Sequence, residues 1–207
     1  AASDVYKRQA HVLGALDADT LRAHGCLFGG DTCIALRYGE YRESVDIDFL
    51  VSDAAGYRGL RQLLTGPDGL AAISHTHAAP LVALREIRAD QYGIRTQVQM
   101  DGQAIKLKIV REARIALEPP VDGDTLCGVS TLTRLDLATS KLLANSDRYA
   151  DDGVFSRDVI DLAMMGLPLA DVRAALAKAT EAYGASIARD LGTAIDRIQN
   201  RTGWLAV

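Results

Sequence analysis

Two aspartates separated by a single residue are the strongest chemical signal in the sequence. Asp46 and Asp48 lie in a run of alternating polar and apolar residues that predicts a β-strand over residues 44–51. Residues two apart on a strand point to the same side, with Cα atoms roughly 6.5 Å apart, so both carboxylates can bind one or two hard divalent cations. We expect Mg²⁺ at this pair.

A pair of glycines that precedes the aspartates predicts a phosphate-binding turn. Gly29 and Gly30 follow a short apolar stretch and lie directly before a predicted helix that contains Thr32. Because glycine has no side chain, backbone N–H groups can approach anionic oxygens there, and the helix dipole favours phosphate at the same point. Mg²⁺ on the aspartates would then meet a nucleoside triphosphate in the turn, an arrangement suited to in-line attack on the α-phosphorus.

The order of these features resembles the nucleotidyltransferase superfamily of DNA polymerase β, in which Gly-Gly or Gly-Ser precedes Asp-apolar-Asp-apolar. More closely, the sequence is similar to the AbiEii-type nucleotidyltransferase toxins of bacterial toxin–antitoxin systems. The resemblance covers roughly residues 20–165 and depends on the order of all its motifs. These motifs are Gly29-Gly30, Arg42-x-Ser44-x-Asp46-x-Asp48, Ser140-Lys141-Leu142-Leu143 and Arg157-Asp158-x-x-Asp161-Leu162.

The resemblance implies a reaction, a metal and a set of site residues. Such enzymes transfer a nucleoside monophosphate from an NTP to a hydroxyl group, with Mg²⁺ as cofactor. The predicted catalytic residues are Asp46 and Asp48, which hold Mg²⁺, Lys141, which neutralises the triphosphate, and Asp158, which orients the site. The predicted nucleotide-binding residues are Gly29, Gly30, Thr32, Arg42 and Ser44. By the same resemblance, the candidate acceptor is a tRNA 3′ end and the protein partner is a cognate antitoxin.

Two positions depart from the pattern of these enzymes. Asp31 places a negative charge in the glycine turn, where it would oppose a phosphate by up to a few kcal/mol. The strand predicted over residues 105–110 carries Lys106 and Lys108 where similar enzymes often have a third carboxylate, so no general base for the attacking hydroxyl is evident. Two alternatives therefore stay open: a catalytically reduced, nucleotide-binding regulatory module, and a nucleotidyltransferase that modifies a small, aminoglycoside-like substrate.

Composition restricts the protein class. The chain has 207 residues, 48% of them hydrophobic, and a formal net charge of −4, so it can bury a core and offers no general attraction to polyanions. No apolar run approaches the roughly 20 residues of a membrane span, and the three cysteines have no CxxC spacing. We therefore expect a cytoplasmic protein with reduced thiols that is not inserted in a membrane.

Periodicity predicts an α+β fold with a mixed sheet followed by helices. The resemblance makes residues 10–124 a polymerase-β-like nucleotidyltransferase core and residues 125–207 a helical C-terminal domain. Residues 1–9 lack periodicity and are interpreted as a tail, for which a non-native origin is one explanation.

Local residue chemistry predicts several element ends. Asp101-Gly102 suits the positive φ angles of a tight hairpin between two strands. In the second half, Ser156 is expected to cap a helix, Pro168 to start the next one and Gly184 to end it.

Overall fold

The described residues of a computed structural model, 3–78 and 81–201, form an α+β fold. The chain divides after Thr133 into two compact units. The first unit contains a mixed sheet with helices, and every regular element of the second unit within the described residues is a helix. The predicted fold class, a mixed sheet followed by helices, is confirmed.

The first unit begins with helices and then alternates strands and helices. Its early elements are α1 (Asp4–Ala15), α2 (Ala18–Ala23), β1 (Leu27–Gly29), α3 (Gly30–Arg37), β2 (Ile47–Val51) and α4 (Ala54–Thr65). A 3-10 helix over Gly69–Ile73 follows. The later elements are β3 (Val82–Ala83), β4 (Arg88–Ala89), β5 (Gly93–Met100), β6 (Gln103–Arg111), β7 (Thr125–Leu126) and β8 (Val129–Ser130).

The main sheet has the strand order β1-β2-β6-β5-β3, with β4 also paired to β5. Strands β2 and β6 run parallel, whereas the other pairs are antiparallel. Side chains alternate along β6, so that Ile105, Leu107 and Ile109 are buried and Lys106 is exposed. One face of the sheet therefore packs on the core of the unit, and the other face carries the polar residues.

The turn between β5 and β6 has the predicted geometry. Asp101 and Gly102 adopt φ angles of 51° and 76°, and Met100 pairs with Gln103. Two successive positive φ angles are typical of the tight turns that match the twist of a hairpin. The hairpin predicted at Asp101-Gly102 is confirmed.

Helix α1 begins earlier than its apolar periodicity indicates. It starts at Asp4, after Ser3, whose side chain accepts a hydrogen bond from the backbone N–H of Tyr6. The Tyr6 hydroxyl donates to the carbonyl oxygen of Arg42, and Gln9 Nε2 donates to the carbonyl oxygen of Ser44 at 2.8 Å. Hydrogen bonds from two buried side chains, which apolar spacing does not reveal, thus incorporate residues 4–9 into the first unit.

The second unit consists of helices α5 (Arg134–Arg148), α6 (Arg157–Met164), α7 (Leu169–Tyr183) and α8 (Ser186–Asn200), with a 3-10 helix over Asp152–Val154. Helix α5 packs against the other three. Pro168 precedes α7 directly, and Gly184 ends it with a φ of +67°, as predicted. Ser156 precedes α6 in a left-handed conformation and makes no side-chain cap hydrogen bond, so the predicted capping interaction is wrong.

The cysteines and helices bear on the expectations drawn from composition. All three cysteines are free thiols, and burial raises the pKa of each, to about 12 for Cys33. Over residues 3–78 and 81–201, we find no helix that combines the length and the apolar character needed to cross a membrane.

Candidate functional site

The predicted acidic pair lies at the start of β2, against the glycine turn. In the sheet register, Asp48 is opposite Gly29 of β1 on one side and Lys108 of β6 on the other. Gly30 has a φ of +70°, and a Cβ built on it would lie 3.0 Å from Asp48 Oδ2. Glycine at this position therefore permits both the backbone conformation and the close approach of the turn to the carboxylate.

Two buried hydroxyl groups support the backbone that carries the pair. Thr32 Oγ1 forms hydrogen bonds with the carbonyl oxygen of Asp46 at 2.5 Å and with Ser44 Oγ at 2.8 Å. Both Thr32 and Ser44 are buried. These hydrogen bonds join the first turn of α3 to the segment before β2. The two hydroxyl groups thereby hold the backbone of Asp46 in position.

The negative charge of Asp31 is matched by Arg42. Arg42 Nη2 lies 3.0 Å from Asp31 Oδ2, and each side chain is about one-fifth exposed. The arginine between the glycine turn and the dyad therefore neutralises the acidic residue that departs from the family pattern. This ion pair weakens the objection that Asp31 would repel a phosphate.

Lys108 provides a cation to both aspartates. Its Nζ lies 2.5 Å from Asp46 Oδ2 and 3.7 Å from Asp48 Oδ1, and its side chain is 33% exposed. Burial acts to lower the pKa of Lys108, but the hydrogen bond and the charges of the two aspartates outweigh it and hold that pKa above the ordinary lysine value. The Lys108 ammonium therefore occupies the position where a cation would be attracted to the pair.

Lys141 and Asp158 are paired within the second unit. Lys141 Nζ lies 3.0 Å from Asp158 Oδ1 and 2.6 Å from Asp161 Oδ2, and all three side chains are buried. Arg148 adds a second cation, because its Nε lies 2.7 Å from Asp158 Oδ2. One lysine charge and one arginine charge thus balance two carboxylates in a buried cluster that joins α5 to α6.

The ionised form of Asp158 is favoured within this cluster. Burial acts to raise its pKa, but the hydrogen bonds and charges of Arg148 and Lys141 outweigh burial and hold the pKa below the ordinary aspartate value. Asp158 therefore stays a carboxylate that fixes the direction of the Lys141 ammonium.

A protein-family model described as "Nucleotidyl transferase AbiEii toxin, Type IV TA system" matches residues 12–203. The chain belongs to the AbiEii nucleotidyltransferase toxin family. The resemblance inferred from the glycine pair, the aspartate pair and the two helical motifs is thereby confirmed, and AbiEii membership gives nucleotidyl transfer and a toxin role as the general activity. No curated protein matches the chain.

Two solved structures are similar to this AbiEii chain at low identity. One is a "putative nucleotidyltransferase" from H. pylori, with 14% identity, a TM-score of 0.42, and coverage of 93% of this chain and 98% of that chain. The other is JHP933 from Helicobacter pylori, with 14% identity, a TM-score of 0.42, and coverage of 96% and 99%.

Each of the two units brings sequence-predicted residues together. Within the first unit, the glycine turn, Thr32, Ser44 and the two aspartates lie around the start of β2, whereas Lys141 and Asp158 pair in the second unit. Sequence reasoning missed Arg148, although it follows Lys141 by two turns of α5 and therefore lies on the same side of that helix.

Proposed function

We propose that this AbiEii-family protein transfers a nucleoside monophosphate from an NTP to a hydroxyl acceptor and releases pyrophosphate. The close approach of Gly30 to Asp48 is the observation that carries the proposal. It combines, within one unit, a glycine turn at a helix start, which favours phosphate, and two carboxylates, which favour a divalent cation. An NTP with its metal ion needs both features at adjacent positions.

The donor set at the start of β2 suits Mg²⁺. Asp46 and Asp48 offer hard carboxylate oxygens on one side of a strand, and about a quarter of each side chain is exposed. When bound there, Mg²⁺ would neutralise triphosphate charge. Because the single Lys108 ammonium already contacts both carboxylates and compensates one of their two charges, Lys108 would compete with Mg²⁺ for this pair.

The chain's own residues take distinct roles in the proposal. Gly29 and Gly30 offer backbone N–H groups to phosphate oxygens, whereas Thr32 and Ser44 act by positioning Asp46 through their buried hydrogen bonds. Arg42 compensates Asp31 beside the turn.

The roles of the second-unit pair are part of the proposal as well. Lys141 would supply positive charge to the triphosphate, and Asp158 would hold that ammonium in place. Their mutual contact at 3.0 Å supports the positioning role of Asp158.

The acceptor and the partner are proposed by analogy with the family. A hydroxyl at a tRNA 3′ end is the proposed acceptor, and a cognate antitoxin is the proposed protein partner.

A nucleotide-binding regulatory module is the second candidate. The contact of Lys108 with both aspartates favours it, because a fixed ammonium leaves fewer carboxylate oxygens for the ions that a transfer reaction requires. Such a module would bind Mg²⁺–NTP and transfer nothing.

Labelled nucleotides separate the two candidates. Purified protein is incubated with each α-³²P-labelled NTP, Mg²⁺ and total cellular RNA, next to the Asp48→Asn variant. Asp101→Asn, at the exposed β-hairpin turn, is a matched control that removes one carboxylate elsewhere. Label in RNA with wild type and Asp101→Asn, and none with Asp48→Asn, supports transfer. NTP binding without transfer supports the regulatory module, and no Mg²⁺-dependent NTP binding contradicts both.

A further inference from the structure

A row of basic side chains crosses the polar face of the sheet beside the aspartates. Lys108 of β6 is opposite Arg95 of β5, and Arg95 is opposite Arg88 of β4. Residues directly opposite in neighbouring strands have their side chains on the same face. The row therefore begins at Lys108, which contacts Asp46 and Asp48, and runs away from β2 across three adjacent strands.

These side chains line a groove of about 520 Å³. Its charged lining residues are Arg85, Glu86, Arg88, Arg95, Lys106 and Lys108. The lining therefore has five cations and one carboxylate, and two of the cations, Lys108 and Arg95, also contact aspartates outside it, although the whole chain carries a formal net charge of −4. Positive charge is thus concentrated on one face of a protein that is otherwise weakly acidic. This face attracts anions, whereas the chain as a whole does not.

The arrangement carries a cost for the isolated protein. Like charges directly opposite in neighbouring strands destabilise a sheet, and both the Arg88–Arg95 pair and the Arg95–Lys108 pair have this relation. Asp90 relieves part of the repulsion, since its Oδ2 lies 2.8 Å from Arg95 Nη1, but both side chains are half exposed and such a pair is weak. A bound polyanion would remove the remaining repulsion.

We infer that this basic groove binds the sugar–phosphate backbone of a single-stranded nucleic-acid acceptor. The inference rests on the proposed transfer reaction, because it assigns the acceptor to the same dyad. Neighbouring strands lie about 4.8 Å apart, so the row from Lys108 to Arg88 spans about 10 Å. A row of that length offers cations to consecutive phosphates of one strand. A strand in the groove directs its end towards Lys108 and the two aspartates.

The same groove argues against a cationic acceptor. An aminoglycoside-like substrate carries several positive charges, and the five basic residues of the groove would repel it at the edge of the dyad. A polyanion is attracted along the whole row, and the attraction depends on salt concentration because counterions are released.

Binding to a short fluorescein-labelled single-stranded RNA tests the inference without nucleotide or metal. The Arg88→Gln/Lys106→Gln variant removes two groove charges, and Arg58→Gln/Arg61→Gln removes two exposed charges from α4 as the matched control. Two lost phosphate contacts should lower the salt slope of log K by about 1.4 and the affinity at 0.1 M salt by about 25-fold. The control should keep both the wild-type affinity and the wild-type slope. Circular dichroism of both variants checks that each is folded.

Each result has a distinct meaning. Equal RNA affinity for the groove variant and wild type would overturn the inference, even if the protein transfers nucleotides to RNA. Transfer of label to kanamycin, with no binding of the RNA by wild type, would also overturn it and leave nucleotidyl transfer intact. Loss of RNA affinity only in the groove variant, in a protein that neither binds nor transfers any NTP, would support the groove and reject the proposed function.

Discussion

Replacing Lys108 by methionine should tighten the binding of a divalent ion to Asp46 and Asp48. The lysine charge lies 2.5 Å and 3.7 Å from the two carboxylates. In a water-like dielectric, unit charges at these separations attract each other by ~1.7 and ~1.1 kcal/mol. Screening and the side-chain entropy of a long lysine reduce the net value of partly exposed pairs to about 1–2 kcal/mol in total. Removing this competition should therefore strengthen ion binding by about 5- to 30-fold.

Titration with Mn²⁺ in the absence of nucleotide, followed by electron paramagnetic resonance of the free ion, measures this change directly. Lys106→Met is the matched control, because Lys106 lies two residues away on the same strand face and its loss changes the net charge equally. We expect the control to stay within about twofold of wild type, since its charge acts only at longer range. Equal Mn²⁺ affinity for Lys108→Met and wild type would refute the competition between Lys108 and the ion. An equal gain in affinity for both variants would show that only the change in net charge matters.

Four further changes test other parts of the site. Lys108→Glu should restore a third carboxylate beside the dyad, so we expect tighter Mn²⁺ binding than in Lys108→Met and faster transfer to RNA, measured with labelled NTP. Gly30→Ala and its control Gly39→Ala both replace a glycine of positive φ, and each should lower the unfolding free energy measured in urea by about 1–2 kcal/mol. Only Gly30→Ala should also weaken Mg²⁺–NTP binding measured by calorimetry, because its Cβ would press on Asp48. Lys141→Met should lower the unfolding free energy by about 3–5 kcal/mol at neutral pH, because it leaves buried carboxylates with less positive charge. The pKa of Asp158 is held below its ordinary value, so the ionised side chain stabilises the fold at neutral pH. That stabilisation is lost as the pH falls through the lowered pKa. Asp158→Asn should therefore lose less unfolding free energy on acidification than wild type.

Local chemistry made much of the site predictable from sequence. The Asp46 and Asp48 side chains share one strand face because their spacing matches the strand period, and Asp101-Gly102 forms a turn because these residue types tolerate positive φ angles. Each of these predictions depends on residues that are close together in the chain.

The contacts that sequence did not reveal join distant segments. Lys108 reaches the dyad only because β6 pairs in parallel with β2, and nothing in the residues of β6 specifies that neighbour. The start of α1 was missed for a related reason, since Tyr6 and Gln9 are buried through hydrogen bonds to the loop at residues 42–44 and not through an apolar stripe. Patterns of single elements carry no direct record of such long-range partners.

The parallel pairing of β2 with β6 also determines the order in which the site is completed during synthesis. The glycine turn and both aspartates leave the ribosome early, and β2 can pair at once with β1, which is near in sequence. Its other edge stays open until α4 and the strands up to β6 have been made, because Lys108 lies far downstream. A growing or truncated chain that ends before Gln103 therefore presents an unpaired strand edge and an acidic pair without its built-in ammonium. The emergence of a single late hairpin closes that edge and delivers the counter-charge in the same step.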